Sequence, residues 1–136
     1  MRRAAGPLRR LRSGQDGGTA LEFALLFPIV ALFLIGGVEF GRLFWQRSSL
    51  EHAVEETGRY AMAHTDASQT QLTSVLQAQA ANALQASTIT ITHSTAATSG
   101  INYLTITATH SFTFVTRLVP YGPITLQSRA RVPLLG

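Results

Sequence analysis

The feature that most constrains this chain is an apolar run that follows an arginine-rich leader. The run, Phe23 to Val38, is 16 residues long and contains no ionisable side chain. Counting from Ala20 gives 19 residues, with Glu22 as the only charge. A helix that crosses the hydrocarbon core of a bilayer needs about 20 residues. The pattern predicts a leader at 1–17, a transmembrane helix at 18–41 and an exported domain at 42–136.

The positive charge of the chain is concentrated in the leader. Five arginines and one acidic residue precede Gly18, whereas six arginines and six acidic residues follow it. Arginine-rich flanks stay on the cytoplasmic side of a membrane. We therefore expect a cytoplasmic N-terminus and an exported body. Because that body is neutral, the net charge of +4 does not indicate a nucleic-acid partner.

The residues after the apolar run indicate that it is retained. An ordinary secretory signal carries small residues at its cleavage site, but Val38 is followed by EFGRLFWQR. A twin-arginine export signal at Arg9-Arg10 is an alternative, although the rest of that motif is missing. A mitochondrial transit peptide is another, but it would not run into a spanning segment of this kind.

Two helices are predicted after the span. From Arg42 to about His64, apolar and small residues fall on one stripe at three- and four-residue spacing: Leu43, Leu50, Ala53, Val54, Thr57 and Ala61. Together with the span this stretch can form one helix of over forty residues. Glu55 with Arg59, and Arg47 with Glu51, are spaced to pair on its surface. Asp66 and Ser68 are candidate N-caps of a second helix, whose apolar face comprises Leu72, Val75, Leu76, Ala80, Ala83 and Leu84.

From Ser87 the hydrophobic period changes from helical to two, which is typical of strands. Ile89 and Ile91 alternate with threonines, and alternation resumes after a turn at 97–100 through Leu104, Ile106, Ala108, Phe112 and Phe114. A third strand is expected from Ile124 to Val132, entered through a turn at Pro120-Tyr121-Gly122-Pro123. The predicted fold class is α+β: a long N-terminal transmembrane and amphipathic helix, a second helix and a small three-stranded antiparallel sheet.

Catalytic and metal-binding patterns are missing from the sequence. The four histidines, His52, His64, His93 and His110, lack metal-ligand spacing, and no serine lies in a nucleophile-elbow motif. A turn near Ser99 would pair His93 with about Leu104, away from His110, so we expect solvated or edge histidines. Without cysteine there is no thiol chemistry. We expect no enzyme activity, cofactor, metal or small-molecule substrate.

Three short blocks of the sequence resemble the TadE-like pseudopilins of tight-adherence (Tad) pilus systems. The blocks are Gly17-Gly18-Thr19-Ala20-Leu21-Glu22-Phe23, Glu39-Phe40-Gly41-Arg42 and Glu56-Thr57-Gly58-Arg59-Tyr60-Ala61. The first is similar to the processing site of Flp-type prepilins, in which a glycine is followed by four residues and then by Glu and an aromatic residue.

The resemblance implies a minor pilin-like subunit in the bacterial inner membrane that supports Flp pilus assembly and surface adhesion. It implies cleavage by a prepilin peptidase between Gly17 and Gly18, with Glu22 and Phe23 completing the processing site. Glu22 would pair with the new α-amine of Gly18, on its own or a neighbouring subunit, and so set subunit register. The implied partners are the peptidase, other pseudopilins and the major Flp pilin.

Simpler interpretations stand beside these roles. Glu22 by itself is also a first-turn helix residue favoured by the helix dipole, and Glu39 is expected to be an interfacial anion beside Arg42. Phe112, Phe114 and Tyr121 are candidates for contact with partners, although the two phenylalanines alternate in step with the core. The rival function is an unprocessed single-span signal-anchor protein whose exported domain binds a ligand or partner.

Overall fold

The computed structural model describes residues 16–85, 88–116 and 122–134. It has two helices, α1 (Asp16–Ala63) and α2 (Gln69–Ala80), followed by three strands, β1 (Ile89–Thr98), β2 (Ile101–Phe112) and β3 (Ile124–Leu134). The strands form an antiparallel sheet in the order β1-β2-β3. This arrangement confirms the predicted α+β fold class. The chain divides into two compact units, residues 1–38 and 39–136.

Helix α1 continues through Pro28 and through Gly41. Proline lacks the amide hydrogen that would bond to the carbonyl of Ala24, so one hydrogen bond of the helix is missing there. Around the helix, the side chains from Leu21 to Val38 are almost all exposed, with Phe23 at 67% and Phe33 at 78%. A helix that is apolar on all sides is stable only where lipid or protein covers it.

The second unit is built around the predicted stripe of α1. Leu50, Ala53, Val54, Thr57 and Ala61 are all buried, and Leu43 packs against their cluster. The hydroxyl of the buried Thr57 donates to the carbonyl of Ala53 at 2.7 Å, which satisfies its polar group. The stripe packs with core residues from α2 and the sheet, which are Leu72, Leu76, Ala80, Ile89, Leu104, Ile106, Ala108, Phe112, Leu126 and Val132.

Helix α2 begins where the sequence indicated and ends earlier. Ser68 is the N-cap: its hydroxyl accepts from the backbone N–H of Gln71, whose side chain accepts from the N–H of Ser68. The helix was expected to include Ala83 and Leu84, but it ends at Ala80. A tight turn follows, in which Ala83 and Leu84 both donate to the carbonyl of Ala80. Leu84 remains buried despite lying outside the helix.

The turn between β1 and β2 corrects the predicted register. Ser99 and Gly100 both have positive φ, 54° and 80°, as in the two-residue turns that join tight hairpins. Thr98 therefore pairs with Ile101, and His93 pairs with Ile106 rather than with Leu104. His93 and His110 lie apart, as expected, because His110 pairs with Ile89. The strand β3 runs two residues further than predicted, to Leu134.

Surface ion pairs on α1 agree with the sequence in part. Arg47 pairs with Glu51 at 3.0 Å, as its spacing suggested. Arg59 pairs with Glu56 at 3.6 Å instead of with Glu55. Both pairs are largely exposed, and exposed pairs contribute about 0–1 kcal/mol each, so neither determines the fold.

Candidate functional site

The residues of the predicted processing site lie together at the start of α1. Gly17, Gly18, Glu22 and Phe23 are within the first two turns of the helix, which begins at Asp16. Glu22 is exposed and makes no ion pair with any residue that the structure describes. The ring of Phe23 lies 5.6 Å from that of Phe27, one turn on. Whether the chain is cleaved here stays a prediction.

Glycine is well suited to the first turn of this helix. The first four backbone N–H groups of a helix have no partner inside it, so its first turn opens more easily than its interior. Apart from the adjoining backbone of the helix, no heavy atom of the described residues lies within 4 Å of the position that a Cβ of Gly18 would take.

The apolar surface of α1 continues into an aromatic segment. Phe40, Phe44 and Trp45 are 60%, 63% and 66% exposed, and aromatic side chains are enriched at membrane–water interfaces. Over an 18-residue window the helix reaches a mean hydropathy of 2.4 with none of that window buried. By length and composition it is a candidate membrane span.

Glu39, expected to be an interfacial anion, is a buried structural residue. It is 5% exposed, and its Oε2 accepts from Arg42 Nη1 at 2.8 Å, which confirms the predicted pair. Its Oε1 accepts from two consecutive backbone amides, Val115 at 2.9 Å and Thr116 at 3.1 Å. One carboxylate therefore fixes the segment after β2 onto the helix.

Arg42 strengthens the same attachment. Its second guanidinium nitrogen donates to the carbonyl of Thr113 at 3.3 Å, and its Cζ lies 5.0 Å from the centroid of the Phe112 ring. Phe112 is fully buried, and its ring meets that of Phe114 edge-on at 5.2 Å. Phe112 is therefore a core residue rather than a partner contact, and Phe114 packs against the core. Tyr121, the third aromatic candidate, lies outside the described residues.

The spacing of residues in the sequence indicated that Glu39 is buried, although its charge suggested an exposed side chain. Glu39, Leu43, Gln46 and Leu50 follow one another at spacings of four, three and four, which is the period of a helix face. This face is the one that α1 turns toward the second unit's core. The spacing alone would have placed Glu39 on the buried side.

His110 is buried, which corrects the expectation of solvated histidines. It is 7% exposed; its Nδ1 lies 3.0 Å from the hydroxyl of Thr88 and its Nε2 3.2 Å from Oε1 of Gln46. The signal for this burial was its place in the alternation of β2, in step with Ile106, Ala108 and Phe112. His52 and His64 are exposed as expected, and His64 stacks on Tyr60 at 4.2 Å.

A polar depression of about 300 Å³ opens beside His110. Its lining is Arg42, Gln46, Ala83, Gln85, Thr88, His110, Ser111 and Thr113. Several of these side chains are already engaged, since Arg42 holds Glu39 and Thr113 while His110 contacts Thr88 and Gln46. Among the described residues no group of three His, Cys, Asp or Glu is arranged to hold a metal ion.

Gly58, from the third sequence block, lies where α1 packs closely against the sheet. A Cβ at this position would be 3.0 Å from Cγ1 of Val132 and 3.7 Å from the Cβ of Ala130, both in β3. A contact of 3.0 Å is shorter than the optimum of about 3.5–4.0 Å between carbon atoms. The glycine is thus explained by helix–sheet packing.

Comparison with known proteins gives one similarity, which covers the segment just described. A family model whose description is TadE-like protein matches residues 17–59. No curated protein and no solved structure matches the chain. The match begins at Gly17, includes the apolar span and Glu39, and ends one residue after Gly58. Over residues 17–59 the chain is therefore similar to the TadE-like family, which confirms the resemblance of its motifs.

Proposed function

We propose that this chain is a minor pilin-like subunit that a prepilin peptidase cleaves and that supports assembly of a Tad/Flp pilus. The observation that carries the proposal is the extent of the family match, which starts at Gly17 and runs through the span to Arg59. The proposed bond, Gly17–Gly18, lies at the start of this match. The five leader arginines, which the cleavage would remove, lie before it.

The arginine-rich leader supports an orientation with the N-terminus in the cytoplasm of the inner membrane. Residues 42–136 are then exported. The exposed apolar side chains of α1 between Leu21 and Val38 face lipid before assembly. In a filament they would face the same surface of neighbouring subunits, since burial of apolar area is favourable against either protein or lipid.

Cleavage would give Glu22 a new candidate partner, since no residue that the structure describes forms an ion pair with it. Hydrolysis adds water across the Gly17–Gly18 amide, which leaves a carboxylate on Gly17 and a free α-amine on Gly18. A carboxylate at the edge of hydrocarbon is costly unless it is paired. The amine of Gly18, on the same or a neighbouring subunit, would neutralise Glu22, and pairing between subunits would set their axial register.

The proposed partners are the peptidase, other pseudopilins and the major Flp pilin. A role in surface adhesion would follow from the pilus and not from a catalytic step. We propose no enzyme activity, because Arg42 and His110 at the depression are committed to internal hydrogen bonds.

The test is the intact mass and N-terminal residue of the membrane-extracted protein, from cells with and without the prepilin peptidase. A start at Gly18 only where the peptidase is present is the expected result. Gly17→Leu, which places a large side chain before the bond, should abolish that cleavage, whereas Gly41→Ala serves as a matched glycine control. An uncleaved chain in both strains would overturn the proposal and favour a signal-anchor protein with an exported binding domain.

A further inference from the structure

One face of the sheet is left without a covering layer in the part of the chain that the structure describes. Alternate residues of β2, from Leu104 to Phe112, point to the core, and the core residues of both helices pack on that side. We call the opposite side the outer face; it carries the even-numbered residues of β1 and the odd-numbered residues of β2 and β3. Its residues on β1, and those from Thr125 to Arg131 on β3, are exposed.

Polar side chains of the outer face form three rows across the strands. The middle row consists of Thr92, Thr107 and Arg129, which the register places side by side. The rows on either side of it are Thr90, Thr109 and Gln127, and Ser94, Thr105 and Arg131. Neighbouring strands lie about 4.8 Å apart, and successive residues on one face lie about 7 Å apart along a strand. Because threonine adopts few side-chain conformations, the rows present a regular array of hydroxyl groups.

The charge of the outer face is positive and has no acidic side chain to balance it. Asp66 is the last acidic residue of the chain, so the sheet contains no Asp or Glu. Arg129 and Arg131 lie two residues apart on the same side of β3. Neither makes an ion pair with a residue that the structure describes. An array of hydroxyl groups beside two such guanidinium groups is complementary to an anion.

Arg131 is held in position on this face. Its Cζ lies 4.2 Å from the centroid of the Tyr103 ring, and its Nη2 donates to the hydroxyl of Thr98 at 2.9 Å. These partners belong to β2 and β1, so the side chain crosses the sheet. The two contacts use one side of the planar guanidinium and one of its five N–H groups. Because the group is already positioned, binding a ligand through its other N–H groups would cost little conformational entropy.

We propose that the outer face binds an acidic polysaccharide, a polymer of uronic acids. Its sugar hydroxyls both donate and accept hydrogen bonds, as the threonine hydroxyls do. Its carboxylates recur along the chain, and a guanidinium can bind each of them through two parallel hydrogen bonds. Arg129 and Arg131 would bind carboxylates, while the threonines of β1 and β2 would bind hydroxyls. This proposal goes beyond the pilus role, since the outer face depends on neither cleavage nor filament assembly.

Other classes of partner fit the outer face less well. Two arginines are few for a DNA-binding surface, which contacts about 6–10 phosphates. A protein interface has an apolar centre and a lipid surface takes up apolar side chains, but the three rows contain none, since the apolar residues of this face lie beyond them, next to the β1–β2 turn. A second copy of the chain has few free carboxylates, because Glu51 and Glu56 already pair with arginines.

The test measures binding of the full chain, in nanodiscs of zwitterionic lipid, to oligogalacturonate and to its methyl ester, which keeps the sugar hydroxyls but has no charge. We expect saturable binding of the acid, at least about tenfold tighter than that of the ester. Arg129→Gln should weaken it by about tenfold, and Thr107→Val, which removes one hydroxyl from the centre of the array, by about threefold. The matched controls, Arg59→Gln on α1 and Thr95→Val on the other side of β1, should leave it unchanged.

The arginine-rich leader needs its own control, because it can attract any polyanion. The double variant Arg9→Gln, Arg10→Gln should bind as the wild type does, and a loss of binding there but not in Arg129→Gln would overturn the proposal. So would a lack of saturable binding, equal affinity for acid and ester, or equal affinity for polyphosphate. Self-association that Arg129→Gln abolishes would also overturn it and would assign the face to a second copy. A failure of peptidase cleavage changes none of these results, so the two proposals fail separately.

Discussion

The carboxylate of Glu39 accepts a hydrogen bond from the backbone N–H of Val115 at 2.9 Å, across 76 residues of sequence. The same oxygen accepts from Thr116, and the other oxygen accepts from Arg42. Among the described residues this is the point at which the segment after β2 is fixed to α1 by a charged group. Its position, just after the apolar run, places the start of the second unit's packing directly beyond the proposed span.

Replacing Glu39 should therefore destabilise the second unit. Glu39→Ala leaves two backbone amides and a guanidinium without their acceptor, and we expect a loss of about 2 kcal/mol, since charged hydrogen bonds contribute about 1.5–3 kcal/mol. Thermal unfolding of the full chain in detergent, followed by near-UV circular dichroism, measures the change. Glu51→Ala, which breaks an exposed pair, is the control and should shift stability by less than about 0.5 kcal/mol. Equal effects of the two variants would show that the Glu39 contacts are not stabilising.

Gly58 offers a second test, of the distance between α1 and β3. Alanine normally favours a helix over glycine by about 1 kcal/mol, and Gly41→Ala, whose Cβ meets nothing within 4 Å, should show that gain. At Gly58 the contact with Val132 should cancel the gain, and Gly58→Leu should cost about 2–3 kcal/mol through overpacking.

A double-mutant cycle isolates the contact at Gly58. Val132→Ala removes the side-chain atom that a new Cβ would meet, so Gly58→Ala should be more favourable in that background than in the wild type. Chemical unfolding of each of the four proteins gives the coupling free energy. Additive effects would show that the helix and the strand are not in close contact here.

The sequence predicted the parts of the fold that depend on periodicity. The stripe from Leu43 to Ala61 and the Ser68 cap are local signals, and both are confirmed. The contacts of Glu39 were not predictable from the sequence. Val115 and Thr116 bind it through backbone amides, and every residue except proline has such an amide, so the identity of these two residues gives no signal. Gly58 was recognised as part of a motif. The packing that requires a glycine there is with β3, more than seventy residues away, and could not be predicted from the motif.

His110 and the hairpin register show a different source of error. The burial of His110 followed from its place in the alternation of β2, on the side that faces the core. The polar character of histidine, and of the threonines around it, suggested an exposed side chain instead. The register of β1 and β2 depended on whether the turn contains two residues, which is set by the positive φ of Ser99. A turn placed one residue earlier shifts every cross-strand pair by two.

His93 should make stability depend on pH. Burial lowers the pKa of folded His93 below its unfolded value of 6.5, so between the two values the unfolded chain binds more protons. The free energy of unfolding should then be highest above about pH 6.5, fall as the pH drops through that value, and level off below the folded pKa. Urea unfolding at pH 7.5 and pH 5 measures the fall. His93→Leu should reduce it; an equal fall in His93→Leu and in the wild type would refute the assignment.

Glu22 marks the proposed processing site by its spacing from Gly17, but the bond to be cut is Gly17–Gly18, so Glu22 should be dispensable for cleavage and necessary for assembly. Glu22→Ala leaves Gly17 and Gly18 in place, so the intact mass should still show a start at Gly18. It removes the charge that pairs with the new amine, and an unpaired ammonium at the edge of hydrocarbon is costly, so the subunit should stay in the membrane and pilus yield should fall. Pili sheared from the cells and the membrane fraction are compared by immunoblot. Glu55→Ala, an exposed glutamate later in the same helix, is the matched control. Normal pili with Glu22→Ala would leave Glu22 as an exposed residue of the second turn of α1 that contacts no neighbouring subunit.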